Sequence, residues 1–493
     1  MTAPDVAAAR STRDAEGSGG HPWLMLAVLL LGQFMALVDV TIVNVAMPTI
    51  GVGLHASGSS LQLVVGGYTV AYGMLLITGA RLGDLYGKRL MYLIGGILFT
   101  AGSLVCGIAP DTTVLIVARF AQGAGAAALV PQIMSVVQMQ FTGSARAKAL
   151  SMYMVVMSSG AVVGLVVGGG LVSANLFGWG WRPVFLINVP LGVLLAILVP
   201  RLVPADEPGG GRRLDLLGLS VATPAVLLVV LPLVLGHEAN WAPWTYASIA
   251  AGLVLTAVFV QIERRIAARG GDPLLNLGVL RAPGIASGLV TLACLMISFG
   301  GFMFVFALHL QNGLGDSALR AGLTFAPLSA VLGLGGFYWR SLPARVHHLL
   351  PAVGLAICGL GYLGIAAALR DGDQNSALLW ICLLLFGTGM GSAPSLMAFS
   401  LVKVPPTQAP DASGLLTSTM QIGQLIGVAV FGTLYLSLVG PLPPHSAALA
   451  HSSSHAIFVT MDWMVPMAAV GALAGMLLAR TVVRAGRLAV AAD

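Results

Sequence analysis

Two apolar runs of the chain are joined by the stretch Ala80-Arg81-Leu82-Gly83-Asp84-Leu85-Tyr86-Gly87-Lys88-Arg89. Each run is about 20 residues long, the length that a helix needs to cross the hydrocarbon core of a bilayer. Gly87 permits a tight turn, and Asp84 lies where it can pair with a nearby arginine or cap the following helix. Lys88 and Arg89 hold the turn on the cytoplasmic side. The stretch therefore predicts two membrane helices joined by a short cytoplasmic loop.

The composition extends this prediction to the whole chain. Of its 493 residues, 57% are hydrophobic and only 9% are charged, and the mean hydropathy is +0.92. Soluble proteins carry about 25% charged residues, so too few charges are present to cover a water-soluble particle of this size. Although the net charge is +6, the composition excludes a soluble enzyme, a disordered protein and a nucleic-acid-binding protein. We therefore interpret the chain as an integral membrane protein.

Fourteen apolar segments are long enough to span a membrane as helices. They are separated by short linkers that leave no room for a soluble domain. The predicted segments are 23–48, 61–82, 90–109, 113–140, 148–174, 183–203, 214–235, 243–262, 284–311, 319–339, 349–369, 376–402, 412–439 and 456–480. The predicted fold is all-α with 14 transmembrane helices.

The distribution of lysine and arginine sets the expected orientation. With both termini in the cytoplasm, 20 of the 24 basic residues lie on the cytoplasmic side and three lie in outer loops. The remaining one, Arg119, lies inside a span. This bias predicts a multi-pass protein of the cell membrane with both ends inside.

Glycine patterns recur along the chain and indicate an internal duplication. The Gly-x-Gly pattern of Gly123 and Gly125 recurs 266 residues later, and the pair Gly160 and Gly164 recurs 263 residues later. Two six-helix halves around a midplane site are typical of secondary transporters. The predicted organisation is a cytoplasmic tail (1–22), a six-helix bundle (23–203), a linker with two extra membrane helices (204–283), a second six-helix bundle (284–480) and a cytoplasmic tail (481–493).

The stretch 80–89 resembles the cytoplasmic-loop signature of the major facilitator superfamily, with Ala80 in the place of its first glycine. Stretches 37–48, 119–125 and 181–192 resemble signatures of the fourteen-helix drug:proton antiporters of that superfamily. This resemblance covers essentially the whole chain and implies proton-coupled efflux of a drug-like or toxic compound by alternating access. It also implies a conformational loop motif whose residues are Arg81, Asp84, Gly87, Lys88 and Arg89.

A further antiporter signature on the fifth predicted helix is changed at one position. Gly160, Gly164, Gly168 and Gly169 retain its glycines, whereas Leu165 replaces its proline. Spacing of four places three of these glycines on one face, where another backbone can approach closely. The missing proline removes a kink that the resemblance implies and weakens antiport as an inference from this helix.

Asp39 lies in the middle of the first predicted span. A carboxylate there costs about 2.5–3.5 kcal/mol even on the lenient insertion scale, so it should face a cavity or a partner. Loss of water favours proton uptake by a carboxylate, and Arg119 is the expected counter-charge. We therefore predict proton coupling at Asp39 and Arg119. The alternative is a structural pairing of Asp39 with Arg119 or with Asn44, without proton exchange.

Polar residues in the spans are candidates for the lining of the substrate cavity. The scarcity of carboxylates in mid-span argues against multiply charged cations as cargo. The four cysteines lie in apolar runs without the spacing of a metal site or a disulfide framework, so no metal and no cofactor is expected. The candidate lining residues are Thr41, Asn44, Tyr68, Gln122, His309 and Gln311.

The predicted function is the export of an amphiphilic small molecule in exchange for protons, by a monomer in the lipid bilayer that binds no nucleic acid and is not an enzyme. A lipid or amphiphile flippase and a proton-symporting importer of the same fold are alternatives. A membrane sensor or scaffold is the alternative outside transport. A sensor would carry a cytoplasmic domain and an enzyme would carry clustered catalytic groups, and the sequence has neither feature.

Overall fold

The computed structural model describes residues 22–205, 216–235, 239–269, 271, 273, 277–370, 376–404, 408–440 and 446–490. Within this part of the chain the regular secondary structure is helical, without a β-strand. Residues 1–21 and 491–493 of the predicted tails, and 206–215 of the predicted linker, lie outside the described residues.

Seventeen α-helices follow one another along the described part of the chain. They are α1 (Pro22–Gly53), α2 (Gly58–Tyr86), α3 (Lys88–Ile108), α4 (Thr112–Gln140), α5 (Gly143–Ala174), α6 (Pro183–Leu186), α7 (Asn188–Leu202), α8 (Leu216–Leu235), α9 (Pro243–Ala268), α10 (Ile285–Leu308), α11 (Ala318–Tyr338), α12 (Ala344–His347), α13 (Leu350–Leu369), α14 (Ala377–Met390), α15 (Ala393–Leu401), α16 (Ala409–Val439) and α17 (Ala447–Val490). We define α1–α7 as the first helix group and α10–α17 as the second helix group. The Gly87 end of the bundle carries the α2–α3 turn, and the Ser57 end carries the α1–α2 turn.

Helices lie at all fourteen predicted positions. Twelve helices in the described part of the chain are long and apolar enough to cross a membrane. At the fifth and seventh positions the apolar helices identified among the described residues are shorter, Val163–Ala174 and Leu217–Leu233. The structure thus provides twelve candidate spans, and the count of fourteen stays a prediction.

Some predicted segments differ from the helices in their boundaries. The predicted segment 376–402 is divided, because α14 ends at Met390 and a new helix starts beyond Gly391, with Pro394 in its first turn. Proline fits the first turn of a helix, where its missing N–H group is not needed. The last helix begins at Ala447, nine residues before its predicted start. The hydroxyl of Ser446 caps it by accepting a hydrogen bond from the Leu449 N–H group at 3.1 Å.

The inserted helices α8 and α9 pack on each other, and α8 contacts both α2 and α16. Pro232 in α8 has no N–H group for the carbonyl of Leu228, and the hydroxyl of Ser248 on α9 donates to that carbonyl at 2.9 Å. On the other side of α8, the hydroxyl of Thr433 on α16 donates to the carbonyl of Leu233 at 3.2 Å. The inserted pair is therefore attached to the seam between the two helix groups.

Glycines bring matching pairs of helices together in both groups. A Cβ atom on Gly164 of α5 would lie 2.9 Å from the carbonyl oxygen of Val38 on α1. In the second group, Gly427 of α16 lies in the same way against the carbonyl of Ile297 on α10. Such contacts allow two helix backbones to approach closely. The match agrees with the duplication inferred from the glycine patterns.

A second pair of helices packs in a matching way, although the contacts pair Gly125 with Gly389, two residues before Gly391, its match in the sequence repeat. A Cβ atom on Gly95 of α3 would lie 2.6 Å from the carbonyl oxygen of Gly125 on α4. A Cβ atom on Gly354 of α13 would lie 2.8 Å from the carbonyl oxygen of Gly389 on α14. These contacts relate α3 and α4 of the first group to α13 and α14 of the second.

The two helix groups are joined by hydrogen bonds near the Ser57 end. Between α2 and α16, close packing extends from Gly58 to Gly73, which is near the middle of α2. Three hydrogen bonds link the Ser57-end halves of the two groups: Gln62–Thr433 at 3.4 Å, Gln311 Nε2 to the Val45 carbonyl at 3.0 Å, and the Leu319 N–H group to Ser173 Oγ at 3.0 Å. Another, from Ser418 Oγ to the Gly73 carbonyl at 3.4 Å, lies nearer the middle of the bundle.

Gly169 and its neighbour Gly170 provide a matched test of this closed end. A Cβ atom on Gly169 would lie 2.6 Å from the carbonyl oxygen of Ala318 on α11, whereas one on Gly170 would meet nothing within 4 Å. We expect Gly169→Ala to lower the free energy of unfolding by about 1–3 kcal/mol through overpacking. Gly170→Ala should change it by no more than about 0.5 kcal/mol. Thermal unfolding in detergent measures both, and equal effects would contradict the packing described for this seam.

Candidate functional site

Asp39 lies in the middle of α1, and its side chain is fully buried. Its carboxylate forms an ion pair with the Arg119 guanidinium of α4. Oxygen Oδ1 also accepts hydrogen bonds from Gln122 Nε2 at 3.0 Å and from Asn188 Nδ2 at 2.8 Å. Hydrogen bonds to an ionised group are stronger than neutral ones, and a buried charge is tolerated only when it is paired in this way. The structure therefore pairs Asp39 with Arg119.

Arg119 is also fully buried, and its other contacts lie within the first helix group. Its Nε donates to the carbonyl of Val64 on α2 at 2.9 Å, and its Nη1 donates to Gln122 Oε1 at 3.0 Å. The guanidinium carbon lies 4.7 Å from the centre of the Tyr68 ring, within the range of a cation–π contact. These contacts orient the guanidinium toward the carboxylate of Asp39.

Ser103 and Asn188 complete a polar network that sequence reasoning did not predict. Ser103 Oγ on α3 accepts from Gln122 Nε2 at 2.6 Å and from Asn188 Nδ2 at 3.1 Å. The thiol of Cys106, one turn further along α3, donates to Gln122 Oε1 at 3.2 Å. Asn188 is the first residue of α7 and lies within the 181–192 stretch that the sequence analysis singled out. A polar residue in that apolar run was the signal that could have identified it.

The six candidate cavity residues do not form one cluster. Tyr68 and Gln122 belong to the network around Asp39. The Thr41 hydroxyl donates within its own helix to the Leu37 carbonyl, and Asn44 Nδ2 donates to the Val40 carbonyl. Asn44 is therefore bonded to its own helix. The remaining two, His309 and Gln311, lie in a π-helical turn (His309–Gly313) after α10, and both are buried.

The conformational loop motif adopts a turn at the Gly87 end. Gly87 has a φ of 99°, a conformation that favours glycine, and it is the N-cap residue of α3. Asp84 does not cap α3, because its carboxylate forms an ion pair with Lys88 at 3.2 Å. Arg81 Nη2 donates to the carbonyl of Pro273, and Arg89 Nη1 donates to the carbonyl of Val203 at 3.3 Å. The motif thus binds the segments that follow α7 and α9.

The apolar helices form two groups that pack in matching ways, and one group contains a buried ion pair. This arrangement is that of a multi-pass membrane transporter. The family model of the Major Facilitator Superfamily matches residues 29–428. The chain belongs to that superfamily.

Curated relatives align along most of the chain. The chain is 36% identical to a probable actinorhodin transporter of Streptomyces coelicolor, over 87% of this chain and 75% of that protein. It is 35% identical to a lincomycin resistance protein of Streptomyces lincolnensis, over 86% and 87% of the two chains. It is 32% identical to the drug efflux pump JefA of Mycobacterium tuberculosis, over 85% and 81%.

Solved structures share the fold at low sequence identity. A bacterial homologue of the human lysosomal transporter Spinster, in an inward-facing unoccupied conformation, superposes with a TM-score of 0.67 at 18% identity. The match covers 95% of this chain and 99% of the other. The POT family transporter PepTSo gives a TM-score of 0.65 at 15% identity, over 93% and 98% of the two chains.

The pairing of Asp39 and Arg119 predicts strongly non-additive mutations. Arg119→Met leaves a buried carboxylate without its counter-charge and should lower the free energy of unfolding by about 3–5 kcal/mol. Asp39→Asn should cost less, because Arg119 retains the Val64 carbonyl and Gln122. The double variant should recover part of the stability that Arg119→Met loses. Thermal unfolding of wild type, the two single variants and the double variant measures this coupling. If the two single losses of unfolding free energy simply add in the double variant, the ion pair has no energetic role.

Proposed function

We propose that the chain is an exporter of amphiphilic small molecules that works as a proton antiporter by alternating access. It is a monomer of the plasma membrane with fourteen spans, and its Gly87 end and both termini face the cytoplasm. The names of its relatives, an antibiotic transporter, an antibiotic resistance protein and a drug efflux pump, support export as the direction of transport. The bias of basic residues toward the Gly87 end supports the orientation.

The observation that carries this proposal is the fully buried ion pair between Asp39 and Arg119. Protonation of Asp39 removes the charge that Arg119 and the two amide side chains of the network bind. Deprotonation restores that charge and the same set of contacts. Asp39 therefore switches between two bonded arrangements by gaining or losing one proton. The network around it includes residues of four other helices of the first group, so the switch affects how these helices are held together.

The closed Ser57 end supports a proposal for the step of the cycle to which the ion-paired form belongs. With the two helix groups joined at that end, access to the centre is from the Gly87 end, which faces the cytoplasm. The ionised Asp39 then belongs to the inward-facing form that loads cargo. In the outward-facing form Asp39 takes a proton and cargo is released. Because proton and cargo each favour a different form of one site, they are exchanged across the membrane.

The cargo class follows from the scarcity of charge in the spans and from the relatives. Besides Asp39, the exposed Asp462 of α17 is the carboxylate nearest to the middle of a predicted span. A cavity with one titrating carboxylate suits neutral or singly charged amphiphiles, whose apolar surface is bound by apolar walls. Actinorhodin and lincomycin, named for the relatives, are therefore suitable probes together with ethidium.

Asp39→Asn tests the proposed coupling in proteoliposomes with an imposed pH gradient. Wild-type protein should concentrate the probe against its gradient. Asp39→Asn should lower the concentration ratio roughly 10- to 100-fold, to the level of passive equilibration, because the proton no longer binds in competition with cargo. Asp462→Asn is the matched control, since it removes an exposed carboxylate from another helix and should leave transport intact.

The outcomes separate the proposal from its alternatives. Concentrative export by Asp39→Asn equal to that of wild type would place the coupling site elsewhere. Accumulation in the same direction as the proton flow would indicate a symporting importer. Movement of lipid analogues without a response to the pH gradient would indicate a flippase. No transport of any probe by folded wild-type protein would favour a sensor or scaffold.

A further inference from the structure

The Ser57 end contains a buried titratable group that the proposed coupling does not use. His309 lies at the start of the π-helical turn His309–Gly313 that ends α10, and its side chain is fully buried. A π-turn contains one residue more per turn than an α-helix and occurs frequently at functional sites. Here the turn presents His309 and Gln311 to different neighbours.

His309 faces a pair of hydroxyl groups within the second helix group. Its Nδ1 is 2.7 Å from Ser453 Oγ on α17, and Ser453 Oγ is 2.6 Å from the Tyr435 hydroxyl on α16. The other ring nitrogen, Nε2, is buried and has no hydrogen-bond partner in the described part of the chain. An imidazolium needs an acceptor for both of its N–H groups, so this closed arrangement accommodates only the neutral ring.

Gln311 connects the same turn to the opposite helix group. Its Nε2 donates to the carbonyl of Val45 on α1, a bond between the two groups at the closed Ser57 end. His309 and Gln311 are two residues apart in one five-residue turn, so a change in the backbone of that turn moves both side chains. The Ser57 end cannot open while the bond from Gln311 to Val45 is intact.

The surroundings of His309 contain few other charges among the described residues. Asp316 and Arg320 form an ion pair at 3.3 Å in the segment that leads from the turn into α11. On α17, His451 and His455 flank Ser453 in sequence and are exposed. From α16 the facing titratable group is Tyr435. On the facing α1, Asp39 is paired with Arg119 within the first group.

We propose that His309 is a second protonation site, one that exchanges protons only through the Ser57 end and favours the opening of that end at acid pH. Opening admits water to Nε2, which then supplies the acceptor that the imidazolium needs. Re-closure expels the proton to the side from which it came, because the closed end accommodates only the neutral ring. His309 therefore senses acidity outside the cell, whereas Asp39 carries the transported proton. The inference rests on the proposed function for its orientation and its transport cycle.

Spin-label distances across the bundle test this inference. Labels at Val52 of α1 and Ser437 of α16, both exposed, report the Ser57 end, and labels at Tyr86 and Leu342 report the Gly87 end. The four native cysteines are buried and are replaced by alanine for labelling. Protein in lipid nanodiscs is measured between about pH 8 and pH 5, the range in which histidine titrates.

In wild-type protein the fraction of molecules that show the longer Val52–Ser437 distance should increase as the pH falls. In Asp39→Asn, where His309 is the proposed protonation site that is left, the ratio of open to closed molecules should rise by up to about tenfold per pH unit, the limit for one proton. His309→Gln can still bond to Ser453 but does not titrate, so its distances should respond to pH less than those of wild type, through Asp39 alone. Ser453→Ala removes a bond that favours the closed form and should shift the midpoint to higher pH.

Asp39→Asn separates this inference from the proposed coupling. It should retain an acid response at the Ser57 end, and His309→Gln introduced into it should abolish that response. An unchanged pH response in His309→Gln, or wild-type distances that do not move with pH, would overturn the role of His309. Transport by Asp39→Asn equal to that of wild type would instead overturn the proposed coupling and leave the distance result standing.

Discussion

The ion pair of Asp39 and Arg119 is the interaction on which the organisation of the first helix group depends. Charges in an apolar interior are tolerated only when other groups replace the water they have lost. The carboxylate therefore recruits two amide side chains, and the guanidinium recruits a backbone carbonyl and an aromatic ring. Together with Ser103 of α3, which accepts hydrogen bonds from both amides, these groups come from five helices, so the position of one charge pair constrains how all five pack.

The second helix group has the same packing without this charge pair. The matching glycine contacts place Ser298 at the position of Asp39, and Tyr362 at the position of Ser103. Both are buried, and the Tyr362 ring lies 5.0 Å from that of Phe386. An aromatic cluster thus takes the place of the polar network. The two groups share their backbone packing but differ in the side chains at their centres. We infer that the first group carries the coupling proton at its centre, whereas the centre of the second group is an apolar packing surface.

Sequence reasoning predicted the helical architecture and the Asp39–Arg119 pair, because both follow from strong local rules. Long apolar runs must form helices in a bilayer, and a lone carboxylate in such a run needs a counter-charge. The partners Ser103 and Asn188 were missed, since a serine or asparagine in a span bonds equally well to its own helix, as Asn44 does. The π-turn after α10 depends on tertiary packing, which has no short-range pattern, whereas Pro394 was a local signal for the interruption of the 376–402 segment.

The most direct test of the central claim is proton release from purified protein on addition of a transported probe at weakly acidic pH. If cargo binding and protonation of Asp39 exclude one another, saturating probe should release about one proton per wild-type molecule. Asp39→Asn should release none even at probe concentrations high enough to occupy it, and His309→Gln should release as many protons as wild type. Equal proton release by wild type and Asp39→Asn would contradict the assignment of coupling to the buried ion pair.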